Sequence, residues 1–278
     1  MKKLIILFLL IISVVTFSQE VNIPTSTQLT ISRAGNFNNS NELMNVCMIV
    51  SNSTQSKGTG FLIKTGHIIT NHHVIKNSKL KDLILIFPDG KMYNPLEIKS
   101  DSIRDLAALK LSNSPNSSGF DLGLSSQLKL GTRLYSWGYP LGYNGPSPLL
   151  TVGYLAGYQT YKDTINNKQV DHLVINGAFN PGNSGGAIIQ NGKVFGVVQS
   201  KHAPISNYLL SALNALEQNS SGVQYTWTDA KGNKKNLSEA QIVAQLLIYF
   251  REINQVMIGE AVTIQELRNF LKEMNILK

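Results

Sequence analysis

The sequence predicts a mainly β protein, a barrel or a sandwich, that ends in helices. Two observations predict the strands. From about residue 44 to residue 202, short apolar runs alternate with turn signals, as in Leu83-Ile84-Leu85-Ile86-Phe87 followed by Pro88-Asp89-Gly90. Ile188-Ile189, Asn191-Gly192 and Val194-Phe195-Gly196-Val197-Val198 repeat the pattern. Many short strands with regular turns are accommodated in a closed barrel or in two stacked sheets. A third observation predicts the helices. Ser238-Glu239-Ala240-Gln241 is a capping box ahead of Ile242, Val243, Leu246, Leu247 and Phe250 at helical spacing. Thr263-Ile264-Gln265-Glu266 opens Leu267, Phe270 and Leu271 in the same way.

In chain order, Met1-Lys2-Lys3 and the apolar run Leu4 to Val15 form a basic start and a short hydrophobic stretch, with small residues in Thr16-Phe17-Ser18. This is the pattern of a secretory signal peptide over residues 1–18, cut after Ser18. The run is shorter than the ~20 apolar residues that span a bilayer, so no stable membrane insertion is expected once it is cleaved. The alternative is an uncleaved anchor. Residues 19–43 are rich in Asn, Ser and Thr and read as a loose arm. Residues 44–204 carry the strand signals, and residues 205–278 read as a mostly helical extension, with Tyr208 to Leu216 as one further helix.

The chemistry is concentrated in Asn180-Pro181-Gly182-Asn183-Ser184-Gly185-Gly186, a serine between glycines just before the apolar Ala187-Ile188-Ile189. A serine hydroxyl becomes a nucleophile when a base takes its proton and N–H groups hold the oxyanion. Flanking glycines allow the tight backbone this needs. Upstream, Gly66-His67-Ile68-Ile69-Thr70-Asn71-His72-His73-Val74 reads as a strand ending in two histidines, the residue type that exchanges protons near neutrality. Asp105 opens the apolar Leu106-Ala107-Ala108-Leu109-Lys110-Leu111. There a carboxylate is placed to accept from a histidine N–H and fix its tautomer. Asp101 and Asp121 are competing acids, but neither directly precedes a run of matching pattern.

Taken together, the blocks around His73, Asp105 and Ser184 resemble the three signature segments of trypsin-like serine proteases, the bacterial Deg type in particular. Gly138-Tyr139-Pro140-Leu141-Gly142 and Gly153-Tyr154-Leu155-Ala156-Gly157 resemble linking segments of the same family. The resemblance spans roughly residues 44 to 202. It implies two six-stranded antiparallel β-barrels, with His73 and Asp105 on the first and Ser184 on the second. It implies His73 as base, because the base there precedes a small apolar residue. Alternation along an extended segment would turn His72 the other way. It implies an oxyanion hole from the N–H groups of Gly182 and Ser184. It implies a substrate pocket walled by Ala178, Phe179 and Asn180 on one side and Val198, Gln199, Ser200 and Lys201 on the other. Ala178 stands where basic-residue-cutting relatives carry an acid. The expected activity is therefore peptide-bond hydrolysis after small or medium aliphatic residues; Lys201 or His202 at the rim would instead favour an acidic residue. No PDZ domain is expected after residue 204, because the remaining residues look helical. Asn183 carries no charge, so no activation through an ion pair beside the nucleophile is expected.

Composition narrows the alternatives. The formal charge of +8 falls by two with the loss of Lys2 and Lys3, and the lysines are scattered. No basic helix with interleaved aromatics points to nucleic acid. His67, His172 and His202 are scattered too, so neither a metal nor another cofactor is expected. Cys47 is the single cysteine and sits in an apolar strand pattern, which predicts a buried thiol and no internal disulfide. The order His, Asp, Ser is opposite to that of α/β-type esterases. The expected partners are polypeptides, and the expected location is the periplasm or the exterior. The competing expectation is a catalytically silent relative that binds peptides or acts as a chaperone. Nothing in the sequence specifies an oligomeric state.

Overall fold

The computed structural model describes residues 25–32, 40–163, 165–201, 207–228, 234–253 and 258–278. The expected signal peptide lies outside these residues. Two short helices come first, α1 (Thr25–Ser32) and α2 (Ser40–Leu43). The first sheet holds β1 (Val46–Ser51), β2 (Lys57–Leu62), β3 (His67–Thr70), β4 (Leu83–Ile86), β5 (Met92–Tyr93), β6 (Pro95–Asp101) and β7 (Leu106–Leu111), with helix α3 (His72–Ile75) after β3. Its strand order is β5-β4-β1-β2-β3-β7-β6. The two edge strands β5 and β6 are joined by Asn94 alone, so the sheet must curl until its edges lie close together. It forms a half-barrel, because β5 and β6 do not pair with each other.

The second sheet holds β8 (Asp121–Leu122), β9 (Arg133–Gly138), β10 (Leu149–Asp163), β11 (Lys168–Asn176), β12 (Ala187–Gln190) and β13 (Lys193–Lys201). After β13 come α4 (Asn207–Gln218), the hairpin β14 (Gln224–Thr228) and β15 (Lys234–Ser238), and α5 (Glu239–Ile253). Then β16 (Ile258–Thr263) returns to the second sheet and α6 (Ile264–Glu273) follows. The order β12-β9-β10-β11-β16-β13 closes through the β12–β13 pairing into a six-stranded antiparallel barrel, and β8 adds to β13 in parallel. The protein is thus mainly β, with one closed barrel and one half-barrel.

Local chemistry accounts for the turns. Asn191 and Gly192 both have positive φ, the conformation of a two-residue hairpin that matches strand twist. Gly90 at φ 82 closes the β4–β5 turn, where Phe87 N–H donates to the Lys91 carbonyl. Thr263 caps α6 by accepting from Glu266 N–H, and Ser238 and Gln241 form the reciprocal capping pair of α5.

Side chains alternate between the faces of each strand, which gives three apolar clusters. Ile49, Leu62, Ile68, Leu85 and Leu109 fill the half-barrel. Leu134, Leu155, Leu173, Ile188 and Phe195 fill the closed barrel. A third cluster joins the two sheets, with Val46, Phe61 and Leu106 against Trp137, Ala187 and Val197, and with Leu267 and Phe270 of α6. Each buried Val, Leu, Ile or Phe side chain among them contributes roughly 1.5–3 kcal/mol relative to exposure.

Two segments differ from the sequence reading. Residues 258–273 lie beyond the expected boundary at 204, yet β16 pairs with both β11 and β13 in the barrel wall. The stretch from α4 to α5 is an insertion between two neighbouring strands. A single strand carrying Glu260 and running directly into a helix has no alternating pattern long enough to read. In the expected loose arm, Thr27 is buried and accepts from Ser147 Oγ at 2.8 Å, and Glu42 accepts from Tyr135 Oη.

Candidate active site

The two sheets face each other across a cleft of about 580 Å³ that is lined by His73, Asp105 and Ser184 among others. His73 stands in the first turn of α3, not on an extended segment. Successive helical side chains diverge by about 100°, so His72 and His73 still point apart, for a different reason than strand alternation. Asp105 Oδ2 lies 2.6 Å from His73 Nδ1, and His73 N–H donates to Asp105 Oδ1 at 2.9 Å. The Asp105 carbonyl accepts from Asn71 Nδ2 and from His72 N–H. Asp105 therefore grips the start of α3 with both its side chain and its backbone. It has φ 54, a left-handed conformation that aspartate tolerates better than most residues. Gln199 Nε2 donates to Asp105 Oδ2 at 3.3 Å from the other sheet.

The competing acids are occupied elsewhere. Asp101 accepts from the N–H groups of Ile103 and Arg104 and pairs with the Arg104 guanidinium. Asp121 pairs with Lys64 on the surface.

The serine loop is held by a regular set of bonds. The N–H groups of Asn183, Gly185 and Gly186 donate to the carbonyls of Asn180, Val198 and Asn183. The N–H groups of Gly182 and Ser184 have no partner among the described residues. The Pro181 carbonyl accepts from Leu141 N–H at 2.7 Å. A trans peptide points its N–H away from its C=O, so Gly182 N–H faces away from Leu141. The Gly182 carbonyl in turn accepts from Thr59 Oγ1 at 2.7 Å. Gly182 has φ 92, and a Cβ there would lie 2.5 Å from the Tyr139 carbonyl oxygen. Two free N–H groups flanking one serine can receive a developing oxyanion.

Ser184 Oγ donates to the Gln199 carbonyl at 2.8 Å, and no hydrogen bond joins it to His73. Among the expected pocket residues, Phe179, Asn180, Val198 and Gln199 line the cleft, while Ala178 is half-buried and does not. The Phe179 ring is fully buried and packs directly on Gly259 of β16, where a Cβ would collide with it. The side chains of Ser200 and Lys201, and the whole of His202, lie outside the described residues.

Among the cleft residues that escaped the sequence reading are Tyr161 on β10, His172 on β11 and Glu260 on β16. The one available signal was a carboxylate inside the apolar run Ile258 to Val262. Burial lowers His172 below the usual histidine range, against the pull of Glu260. Among the described residues, no group of three or more His, Cys, Asp or Glu side chains is arranged to hold a metal ion. Cys47 is fully buried, and burial pushes its thiol far up. No described helix is long and apolar enough to cross a membrane.

Comparison with known proteins bears on this geometry. The family model of the trypsin-like peptidase domain matches residues 58–197. The chain is 31% identical over 159 residues to the "Serine protease Do-like HtrA" of Lactobacillus helveticus, covering 55% of this chain and 38% of that protein. It is 34% identical over 149 residues to the "Probable periplasmic serine endoprotease DegP-like" of Bartonella henselae, covering 53% and 28%. The chain thus spans about a third of the length of these curated relatives. In fold it is similar to a serine-to-alanine mutant of Rv3671c from M. tuberculosis in an inactive form, with TM-score 0.57, 19% identity, and 84% and 88% of the two chains covered. It is also similar to the HtrA-type protease AlgW with tripeptide, with TM-score 0.54, 20% identity, and 85% and 62% covered.

Proposed function

The chain belongs to the trypsin-like peptidase family, and on that premise we propose that it is a serine endopeptidase whose nucleophile is Ser184, with His73 as base and Asp105 as orienting acid. The observation that carries this reading is the 2.6 Å contact between His73 Nδ1 and Asp105 Oδ2 in the cleft that Ser184 also lines. In the proposed reaction, His73 Nε2 takes the Ser184 proton as Oγ attacks the scissile carbonyl. Asp105 keeps the Nδ1–H tautomer and stabilises the imidazolium. The N–H groups of Gly182 and Ser184 receive the oxyanion. His73 returns the proton to the leaving amine, an acyl-enzyme remains, and water activated by His73 hydrolyses it.

Before attack, the Ser184 hydroxyl must leave the Gln199 carbonyl. An extended substrate pairing with β13 would donate an N–H to that carbonyl and free the hydroxyl to turn to His73. Phe179 fills the space over Gly259, which takes up room that a long substrate side chain would need and supports cleavage after small or medium aliphatic residues. The basic, apolar start of the chain and the periplasmic name of the Bartonella relative support an exported location. N-terminal sequencing of the exported protein should then begin at Gln19.

A second reading, a catalytically silent peptide binder, is favoured by the bond between Ser184 Oγ and the Gln199 carbonyl. A fluorophosphonate probe separates the two. The peptidase reading expects labelling at Ser184 that is lost in Ser184→Ala and cleavage of a peptide library with the stated preference. Absence of labelling and of cleavage would favour the silent binder.

A further inference from the structure

The cleft carries a polar group that the proposed chemistry leaves unused. Strands β10, β11 and β16 are consecutive neighbours in the barrel. Leu173, Ile175 and Ala261 point into its core, so alternation turns His172 and Glu260 outward, where both line the cleft. Tyr161 Oη donates to Glu260 Oε1 at 2.7 Å, the Tyr161 and His172 rings lie 4.8 Å apart at a tilt of 56°, and His172 Nδ1 lies 3.9 Å from Glu260 Oε2.

His172 is only 4% exposed, yet neither of its ring nitrogens has a hydrogen-bond partner among the described residues. Buried polar atoms are nearly always paired, so an imidazole unpaired on both sides and facing a cavity points to an absent ligand. As a neutral ring it offers one acceptor and one donor, and the Glu260 carboxylate only accepts. Ile103 and Val170 line the same cavity with apolar surface. Among the described residues that line the cleft, the carboxylates of Asp105, Asp163 and Glu260 outnumber the one lysine, Lys162. An apolar wall leading to acceptors of net negative charge matches a long side chain with a cationic, many-donor head.

We propose that Tyr161, His172 and Glu260 form a subsite for the lysine or arginine side chain of a residue flanking the scissile bond of a polypeptide substrate. Glu260 is the specificity-determining residue. The subsite deepens the peptidase reading and rests on it. It lines the same cleft as Phe179, and on this reading one substrate places a small residue beside Phe179 and a cation against Glu260.

The test compares peptides that carry arginine or lysine with peptides carrying citrulline or norleucine at each position around the cleavage site. The wild-type protein should favour the cationic peptide at one position by about tenfold or more in kcat/KM. In Glu260→Gln, which keeps size and shape, that ratio should fall to near one. Tyr161→Phe, a change at the half-open rim, should reduce it by a smaller factor. A ratio near one at every position in the wild type, or a ratio unchanged in Glu260→Gln, overturns the proposal. Binding to Ser184→Ala, read by fluorescence anisotropy, repeats the comparison without chemistry. A cation preference in binding that Glu260→Gln removes supports the subsite even if the wild type cleaves nothing, in which case the peptidase reading fails alone. Cleavage without any cation preference sinks the subsite and leaves the peptidase reading intact.

Discussion

Replacing Arg104 with alanine should destabilise the protein and disturb the cleft, although Arg104 itself lines no part of it. The guanidinium is 11% exposed and holds three carboxylates from two distant segments. It meets Asp101 Oδ2 at 2.7 Å, Glu266 Oε2 at 2.9 Å, and Glu273 through two bonds of 2.8 Å. Asp101 and Glu266 are about as buried as Arg104, whereas Glu273 is half open to water. Surface pairs contribute little, so the cost comes from the two buried partners. Leaving buried carboxylates uncompensated costs about 3–5 kcal/mol.

The pH dependence follows from the same contacts. Burial by itself raises the Asp101 carboxyl, but the backbone N–H groups of Arg104 and Ile103 and the guanidinium outweigh it and hold it below the usual range. Hydrogen bonds from Arg104 lower Glu273 as well. Lowered carboxyls contribute stability that is complete above their unfolded pKa and is lost as pH falls through the folded value. The difference between wild type and Arg104→Ala should therefore be largest at neutral pH and shrink from roughly pH 5 downward. Urea unfolding at several pH values measures it. A difference below about 1 kcal/mol at pH 7, within the range of a surface pair, would refute the reasoning, as would one that stays constant into acid. Because Arg104 directly precedes Asp105, kcat should fall as well, with a smaller change in KM.

Other expected outcomes are independent of that network. Asp105→Asn should keep the fold and lower kcat by about 10⁴, because the amide favours the wrong histidine tautomer; a loss below about tenfold would remove Asp105 from the proposed role. Gly182→Ala should lower kcat by ~10²–10³, the effect of losing one oxyanion donor, since its Cβ meets the Tyr139 carbonyl and the backbone must move. An unchanged rate would show that this N–H is not used. Cys47 should react with a thiol reagent only at the rate of unfolding, because burial keeps it protonated and inaccessible. Fast labelling of the native protein would contradict the packing of β1.

Much of the fold was legible because it is written locally. The Asn191-Gly192 hairpin, the Pro88-Asp89-Gly90 turn and the capping residues Ser238 and Thr263 act through bonds to residues a few positions away. The boundary at 204 was not legible. It depended on β16 returning between β11 and β13 after a long insertion, and nothing near Ile258 encodes that return. The candidate site divides in the same way. His73, Asp105 and Ser184 stand beside turn and strand signals that single them out. Tyr161, His172 and Glu260 lie on three separate strands and share a face only because of the register that pairs Val174 with Glu260 and Tyr161 with Val170.

From its order of residues alone, this protein has a serine among glycines, a histidine and an aspartate beside strands, and the turns that let those strands close. These are properties of neighbouring atoms along one chain, and they survive without any partner. Only the assembled sheets decided that the Ser184 hydroxyl rests on the Gln199 carbonyl, that Phe179 seals the floor over Gly259, and that Glu260 opens beside the cleft. Contacts across strands depend on register, and a one-residue slip of β16 would turn Glu260 to the opposite face.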